Sequence, residues 1–166
     1  MIFKTRIDSE WAIVYGTHSK IGENALKRLY ASVQKFVGYH VDLYSEEEYA
    51  AGNIGGNIIY IGLGSSMGQY MRRLCESNGI TVPNRAESYS LKVCRAESEY
   101  QKIFILGGDE AGLLYGVCDF SHRYLDRVRY SGRITDCYFK MFGETMPEFE
   151  LSGCPKIERR GFWTWG

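Results

Sequence analysis

Ile103-Phe104-Ile105-Leu106-Gly107-Gly108-Asp109-Glu110-Ala111-Gly112-Leu113-Leu114-Tyr115-Gly116 decides the fold of this chain, because it passes from an apolar strand to a helix through a glycine turn and a capping acid. Four β-favouring apolar residues are enough for a buried strand, and Gly107-Gly108 lets the backbone turn without a side-chain clash. Asp109 stands where an N-cap carboxylate can accept from first-turn amides, and Glu110 complements the positive end of the helix dipole. A helical glycine costs about 1 kcal/mol relative to alanine, so Gly112 and Gly116, four apart on one face, predict a close approach by another element.

Working outward, the same alternation recurs. Trp11 to Tyr15 reads as a strand ending at Gly16, and Ser19 is positioned to cap a helix running to about Val37 with Ile21, Ala25, Leu29, Val33 and Phe36-Val37 on its buried face. Gly38 ends that helix and Val41 to Tyr44 reads as a short strand. The polar stretch Ser45 to Gly56, with Glu46, Glu47 and Glu48 in succession, reads as a surface connection with one helical turn. Asn57 to Leu63 is a buried strand, and Ser65 is the expected cap of a helix through Met67, Tyr70, Met71 and Leu74 that stops near Asn78-Gly79. Tyr89 to Val93 and Tyr100 to Leu106 read as an antiparallel hairpin joined by Arg95 to Glu99. The helix from Asp109 runs to about Tyr124, and Arg127 to Tyr130 is an edge strand or an extended exit. The expected fold class is α/β, bordering on α+β, with a mixed sheet and helices packed mainly on one face.

At 166 residues the chain suits one domain with a proper core. Lys plus Arg and Asp plus Glu are each 20, so no charge surplus argues for nucleic acid or a membrane surface as partner. The first residues lack the apolar run of a secretory leader, and nowhere do about 18 apolar residues stand together. As written, the chain is expected in the cytoplasm; had it lost a leader, it would belong to the periplasm or be secreted. Cys75, Cys94, Cys118, Cys137 and Cys154 form an odd set without a Cys-x-x-Cys pair, so neither a zinc site nor a disulfide framework is expected. His18, His40 and His122 are scattered, without metal-ligand spacing, and no metal or cofactor is expected.

Gly62-Leu63-Gly64-Ser65-Ser66-Met67-Gly68 is a second glycine-rich strand-to-helix turn whose amides could hold a phosphate or carboxylate. It matches neither the dinucleotide fingerprint nor the P-loop, and an ordinary turn is the favoured reading. Ser65 also falls outside a Gly-x-Ser-x-Gly elbow, because Gly64 directly precedes it and Gly68 lies three later. Hydrolysis needs two carboxyls across a cleft, whereas Glu46-Glu47-Glu48 reads as a solvated face. No catalytic residue is assigned.

Four segments, taken in order, resemble the small N-terminal domain that precedes the catalytic barrel in β-N-acetylhexosaminidases, bacterial α-glucuronidases and related glycoside hydrolases. Asn57 to Gly62 is similar to the central strand of those domains, Glu87-Ser88-Tyr89-Ser90-Leu91-Lys92-Val93 to their Glu-x-Tyr-x-Leu-x-Val strand, and Ile103 to Gly116 to their end. Pro155 to Gly161, Pro-Lys-Ile-Glu-Arg-Arg-Gly, is similar to the Pro-x-x-x-x-Arg-Gly that opens the first barrel strand. The resemblance implies a non-catalytic accessory domain over 1–130, with 131–166 as linker and start of a (β/α)8 barrel that needs roughly 250 residues in full. It implies that Arg160, or its neighbour Arg159, contacts sugar hydroxyls in the complete enzyme, though the Phe162-Trp163-Thr164-Trp165-Gly166 that follows departs from the family pattern. The implied partners are the barrel of the same chain and, through it, a carbohydrate substrate. The aromatic residues of 131–166 have no evident core of their own, and without the barrel they are expected to drive dimerisation. A stand-alone carbohydrate-binding or protein-interaction module is the alternative, and it predicts an ordered, solvent-facing aromatic row. A small nucleotide-binding enzyme, resting on the two glycine turns, ranks last.

Overall fold

The computed structural model describes residues 11–16, 20–36, 40–52, 54, 56–94, 100–125 and 149–155. The expected cap at Ser19, the stop at Gly38, the segment 127–130, His18, Cys137, Arg159, Arg160 and the terminal tryptophans lie outside them.

Six strands form one sheet: β1 Trp11–Tyr15, β2 Asp42–Ser45, β3 Asn57–Leu63, β4 Tyr89–Val93, β5 Lys102–Gly107 and β6 Phe149–Gly153, in the order β2-β1-β3-β5-β4-β6. The first four of that order are mutually parallel, and β4 runs antiparallel to both β5 and β6. Among the described residues four α-helices cover it: α1 Lys20–Phe36, α2 Glu46–Ala51, α3 Gln69–Ser77 and α4 Glu110–Phe120. This is the mixed α/β sheet expected, and the hairpin pairing holds from Tyr89 opposite Gly107 to Val93 opposite Ile103.

Alternation along the central strands sorts the core into two layers, because successive strand side chains point to opposite faces. Ile13, Ile59, Ile61, Ile103 and Ile105 face Ala25, Leu29 and Val33 of α1 and Leu113, Val117 and Phe120 of α4. Val14, Ile58, Tyr60, Phe104 and Leu106 face Tyr49 of α2 and Met71 and Cys75 of α3. The two longer helices therefore share one face and the two short ones cover the other, so the helices divide between both faces rather than packing mainly on one as the sequence suggests, because the central strands are apolar on both sides. Each large aliphatic side chain fully buried this way contributes about 1.5–3 kcal/mol. Ile21 does not join them: it is exposed, since it precedes Ala25, the first apolar side chain of α1 to enter the core.

Two boundaries and one strand differ from the sequence expectation. The helix after β3 starts at Gln69 rather than behind Ser65, because Gly64 to Ser66 close a turn in which the Ser66 amide donates to the Leu63 carbonyl at 3.2 Å. It ends as expected at Asn78-Gly79: Gly79 takes φ +61°, and the Gly79 and Ile80 amides return to the Glu76 and Cys75 carbonyls, a Schellman ending with Ile80 packed inward. Helix α4 stops at Phe120 and continues as a π-helical turn over Ser121–Leu125. Within 131–166, Phe149–Gly153 adds β6 to the edge of the sheet, in register with β4 from Tyr89 opposite Gly153 to Val93 opposite Phe149. Phe149 to Ser152 do alternate apolar and polar residues, but the strand is only five residues long and its apolar positions are half-buried, so the signal is weak.

Candidate functional site

In open α/β sheets, ligands settle at the carboxyl ends of the strands where the strand order reverses. Here that point lies between β1 and β3, since α1 leaves β1 across one face while α2 and α3 flank β3 on the other. The groups that meet there are Gly16 after β1, Glu46 after β2, and the turn Gly64–Gly68 after β3.

Local sequence positions the acid. Ser45 caps α2 in a capping box: its hydroxyl accepts from the Glu48 amide at 3.2 Å while its own amide donates to Glu48 Oε2 at 2.7 Å. Those two bonds, the backbone one foremost, hold the Glu48 carboxyl below its usual value. With Glu48 turned back on the cap and Glu47 exposed, Glu46 turns inward. Its Oε1 accepts from the Tyr60 hydroxyl, and its Oε2 accepts from the Gly68 amide at 2.5 Å. The carboxylate therefore caps α3 from 22 residues upstream, since Gly68 itself offers no side chain to do so. Arg72, one turn along, donates to the Gly64 carbonyl at 3.2 Å.

Both flanking glycines are set by this acid. A Cβ on Gly16 would stand 2.7 Å from Glu46 Oε1, and one on Gly68 would strike the other oxygen. Burial first, then the bond to Glu46, push the Tyr60 phenol far above its ordinary value, so it stays a donor. Burial foremost, then the neighbouring Cys94 and the Glu46 carboxylate, pushes the Cys75 thiol up to about 12. Glu46 was expected on a solvated face; it is instead half-buried and holds two donors. An acid run has no periodicity that tells its first member from the next two, so only the position after the Ser45 cap could have marked Glu46.

Chemically, this is an anion position filled by the chain's own carboxylate. The amide that could have received a phosphate or a ligand's carboxylate receives Glu46. The other glycine turn behaves likewise: Asp109 Oδ1 accepts from the Gly112 amide at 2.8 Å, and the Gly108 amide donates to the Ser88 carbonyl at 2.8 Å. Among the described residues no three His, Cys, Asp or Glu side chains converge. His122 is exposed, and His40, also exposed, stands 3.9 Å from Asp42. No helix of the described residues is long and apolar enough to cross a membrane.

Gly112 and Gly116 meet the close approach that their spacing predicts. A Cβ on Gly112 would lie 2.8 Å from the Ser88 carbonyl carbon, and one on Gly116 would lie 3.0 Å from Ile105 Cγ2 and 3.3 Å from Tyr89 Cβ. The two tyrosines exposed among the described residues, Tyr70 at 48% and Tyr115 at 39%, stand on α3 and α4, on opposite faces of the sheet. They do not share a row.

No protein-family model matches the chain, and no curated protein matches it. Among solved structures it is similar to a glycoside hydrolase, a GH138 enzyme targeting pectin rhamnogalacturonan II, at 16% identity and a TM-score of 0.43. The match covers 89% of this chain and 12% of that enzyme, so the chain spans a small fraction of its neighbour's length.

Proposed function

We propose that this chain is the non-catalytic N-terminal α/β domain of a glycoside hydrolase of the kind seen in β-N-acetylhexosaminidases and bacterial α-glucuronidases, and that its role is to pack against and stabilise the catalytic barrel. The observation that carries this reading is the adjacency of the resembling segments. Asn57 to Gly62, Ile103 to Leu106 and Tyr89 to Val93 lie side by side as β3, β5 and β4, and the α4 that follows packs on them through Gly112 and Gly116. Segments from separate parts of the sequence thus make one contiguous half of the sheet.

The filled switch point supports the same reading against a nucleotide-binding enzyme. A domain that bound an anion there would first have to expel Glu46 from Gly68 and leave the buried Tyr60 hydroxyl without its acceptor, a loss of about 1–3 kcal/mol. In this proposal the glycosidic bond is cleaved by carboxylates of the barrel, and Arg160 contacts a sugar hydroxyl only in the complete enzyme.

The reading frame beyond the codon for Gly166 tests it. The expected result is an in-frame continuation of roughly 250 residues or more with alternating strands and helices and two acids at the carboxyl ends of barrel strands. A stop codon at that point would sink the proposal and make a stand-alone module the leading reading. Calorimetric titration with chitooligosaccharides and oligouronides sharpens the distinction: no binding heat is expected from this chain alone, and millimolar or tighter affinity speaks for the module.

A further inference from the structure

We infer that β6 is a strap that opens independently of the rest of the sheet, and that the ring of Tyr89 is its latch. The inference concerns the fold's own mechanics and stands whether or not the glycosidase reading holds.

Strand β6 has the features of a locally weak element. Among the described residues it hydrogen-bonds on one side only, to β4. None of its residues is fully buried, with Glu150 and Ser152 exposed and Phe149, Leu151 and Gly153 half-buried, whereas Ile103 to Gly107 of β5 are all buried. Few buried apolar contacts and exposed ladder bonds mark segments that open without global unfolding.

Phe149 packs against the core at one end of the strand, and two further contacts hold it down. Lys92 and Glu150, directly opposite in the ladder, pair at 3.2 Å. At the other end, Tyr89 stands opposite Gly153 and lays its ring over it: a Cβ on Gly153 would fall 2.5 Å from the ring's Cζ. A cross-strand aromatic covering an edge glycine in this way fills the space that the missing side chain leaves. The ring cannot swing aside freely. Gly116 of α4 backs it, with 3.3 Å between an added Cβ there and Tyr89 Cδ2. Its hydroxyl donates to Asp119 Oδ2 at 2.9 Å, while Arg123 Nε donates to the other oxygen of Asp119 at 2.9 Å. One rigid ring thereby ties the last residue of β6 to α4, and Cys154-Pro155 depart from that point. Release of the strap would uncover the outer edge of β4, an acceptor for an extended segment.

Hydrogen-exchange mass spectrometry on the whole 166-residue chain tests this. In the wild type, β6 amides are expected to exchange about tenfold or more faster than those of β3 and β5 under conditions where the core stays folded. Gly153→Ala, by forcing the ring off its seat, is expected to accelerate β6 exchange by about a further tenfold, with β3 and β5 unchanged within about twofold. Should Gly153→Ala fail to fold, Glu150→Gln removes only the charge of the pair between the exposed Glu150 and the half-buried Lys92 and is expected to accelerate β6 about twofold to threefold. Protection of β6 equal to that of β5 in the wild type overturns the inference. So does a variant in which all strands lose protection together, since β6 would then be an inseparable part of the sheet.

Discussion

Helices α3 and α4 each follow a parallel strand through a glycine turn, one on each face of the sheet, yet their first amides are satisfied from opposite directions. Helix α4 is capped by Asp109, three residues before the Gly112 amide that it binds. Helix α3 is capped by Glu46, 22 residues before Gly68 and carried on another helix. The first cap forms as soon as its own turn forms. The second exists only once α2 has docked beside β3, so it couples the order of two helices and the end of β1 through Gly16. A cap made locally stabilises one helix, whereas a cap made at a distance also stabilises an arrangement.

The largest break in this comparison falls on the α4 side. In an open helix, Gly112→Ala would gain about 1 kcal/mol. Here the new methyl group would be driven into the Ser88 carbonyl, and the helix would have to lift from β4 and β5. A loss of about 3 kcal/mol is expected, read as a fall in the urea midpoint with an unchanged slope. The sign decides: a stabilised Gly112→Ala variant would mean that the helix does not sit as close as described.

Next comes the remote cap. Glu46→Ala leaves the Tyr60 hydroxyl buried without its acceptor and the Gly68 amide without its cap, with an expected cost of about 2 kcal/mol. Because the two residues share one bond, Tyr60→Phe added to Glu46→Ala should cost less than the sum of the two separate changes, with a coupling of about 1 kcal/mol in a double-mutant cycle. Strict additivity, or a Glu46→Ala cost within the few tenths expected of a solvated acid, would return Glu46 to the surface run with Glu47 and Glu48. Asp109→Ala, the local counterpart, is expected to cost about 1 kcal/mol, a drop of about 3 °C in melting temperature. Should Asp109→Ala prove the costlier of the two, the ranking of remote over local caps falls.

The same contrast explains how much could be read from the sequence. Everything between Ile103 and Gly116 was legible, because strand, turn, cap and glycine face depend on neighbours within four residues. The capping box at Ser45 and Glu48 was equally local, yet its consequence, that Glu46 turns inward, required knowing that Tyr60 and Gly68 would stand beside it. Reading Ser65 as a cap failed for a related reason. A serine after a strand is a good cap in isolation, but the turn bond from Ser66 to Leu63 and the remote carboxylate at Gly68 together delay the helix to Gln69. Strand β6 was hidden differently, since an edge strand with two exposed polar residues looks like linker until its partner β4 is known. Of the site residues, Arg160 lies outside the described residues and rests on resemblance alone.

The last contrast vanishes at neutral pH and emerges only in alkali. The α3 face buries Tyr60 and Cys75, both held in their protonated forms, whereas Tyr89 beside α4 is half-buried and pushed up to about 12 by burial and by Asp119. A group whose pKa is higher in the folded than in the unfolded chain contributes stability in full below its unfolded value and loses it as the pH climbs through the folded one. For Cys75 that window runs from 9.0 to about 12, and for Tyr89 from 10.0 to about 12. The unfolding free energy should therefore hold steady from pH 7 to 9 and then fall, the thiol acting first. In Cys75→Ala the curve starts lower, because a buried sulfur is gone, but its decline should begin nearer pH 10, where the window of the raised phenols opens. Urea titrations at intervals of half a pH unit would resolve this, and parallel declines in the two proteins would remove Cys75 from the account and leave alkaline sensitivity to the tyrosines of both faces alike.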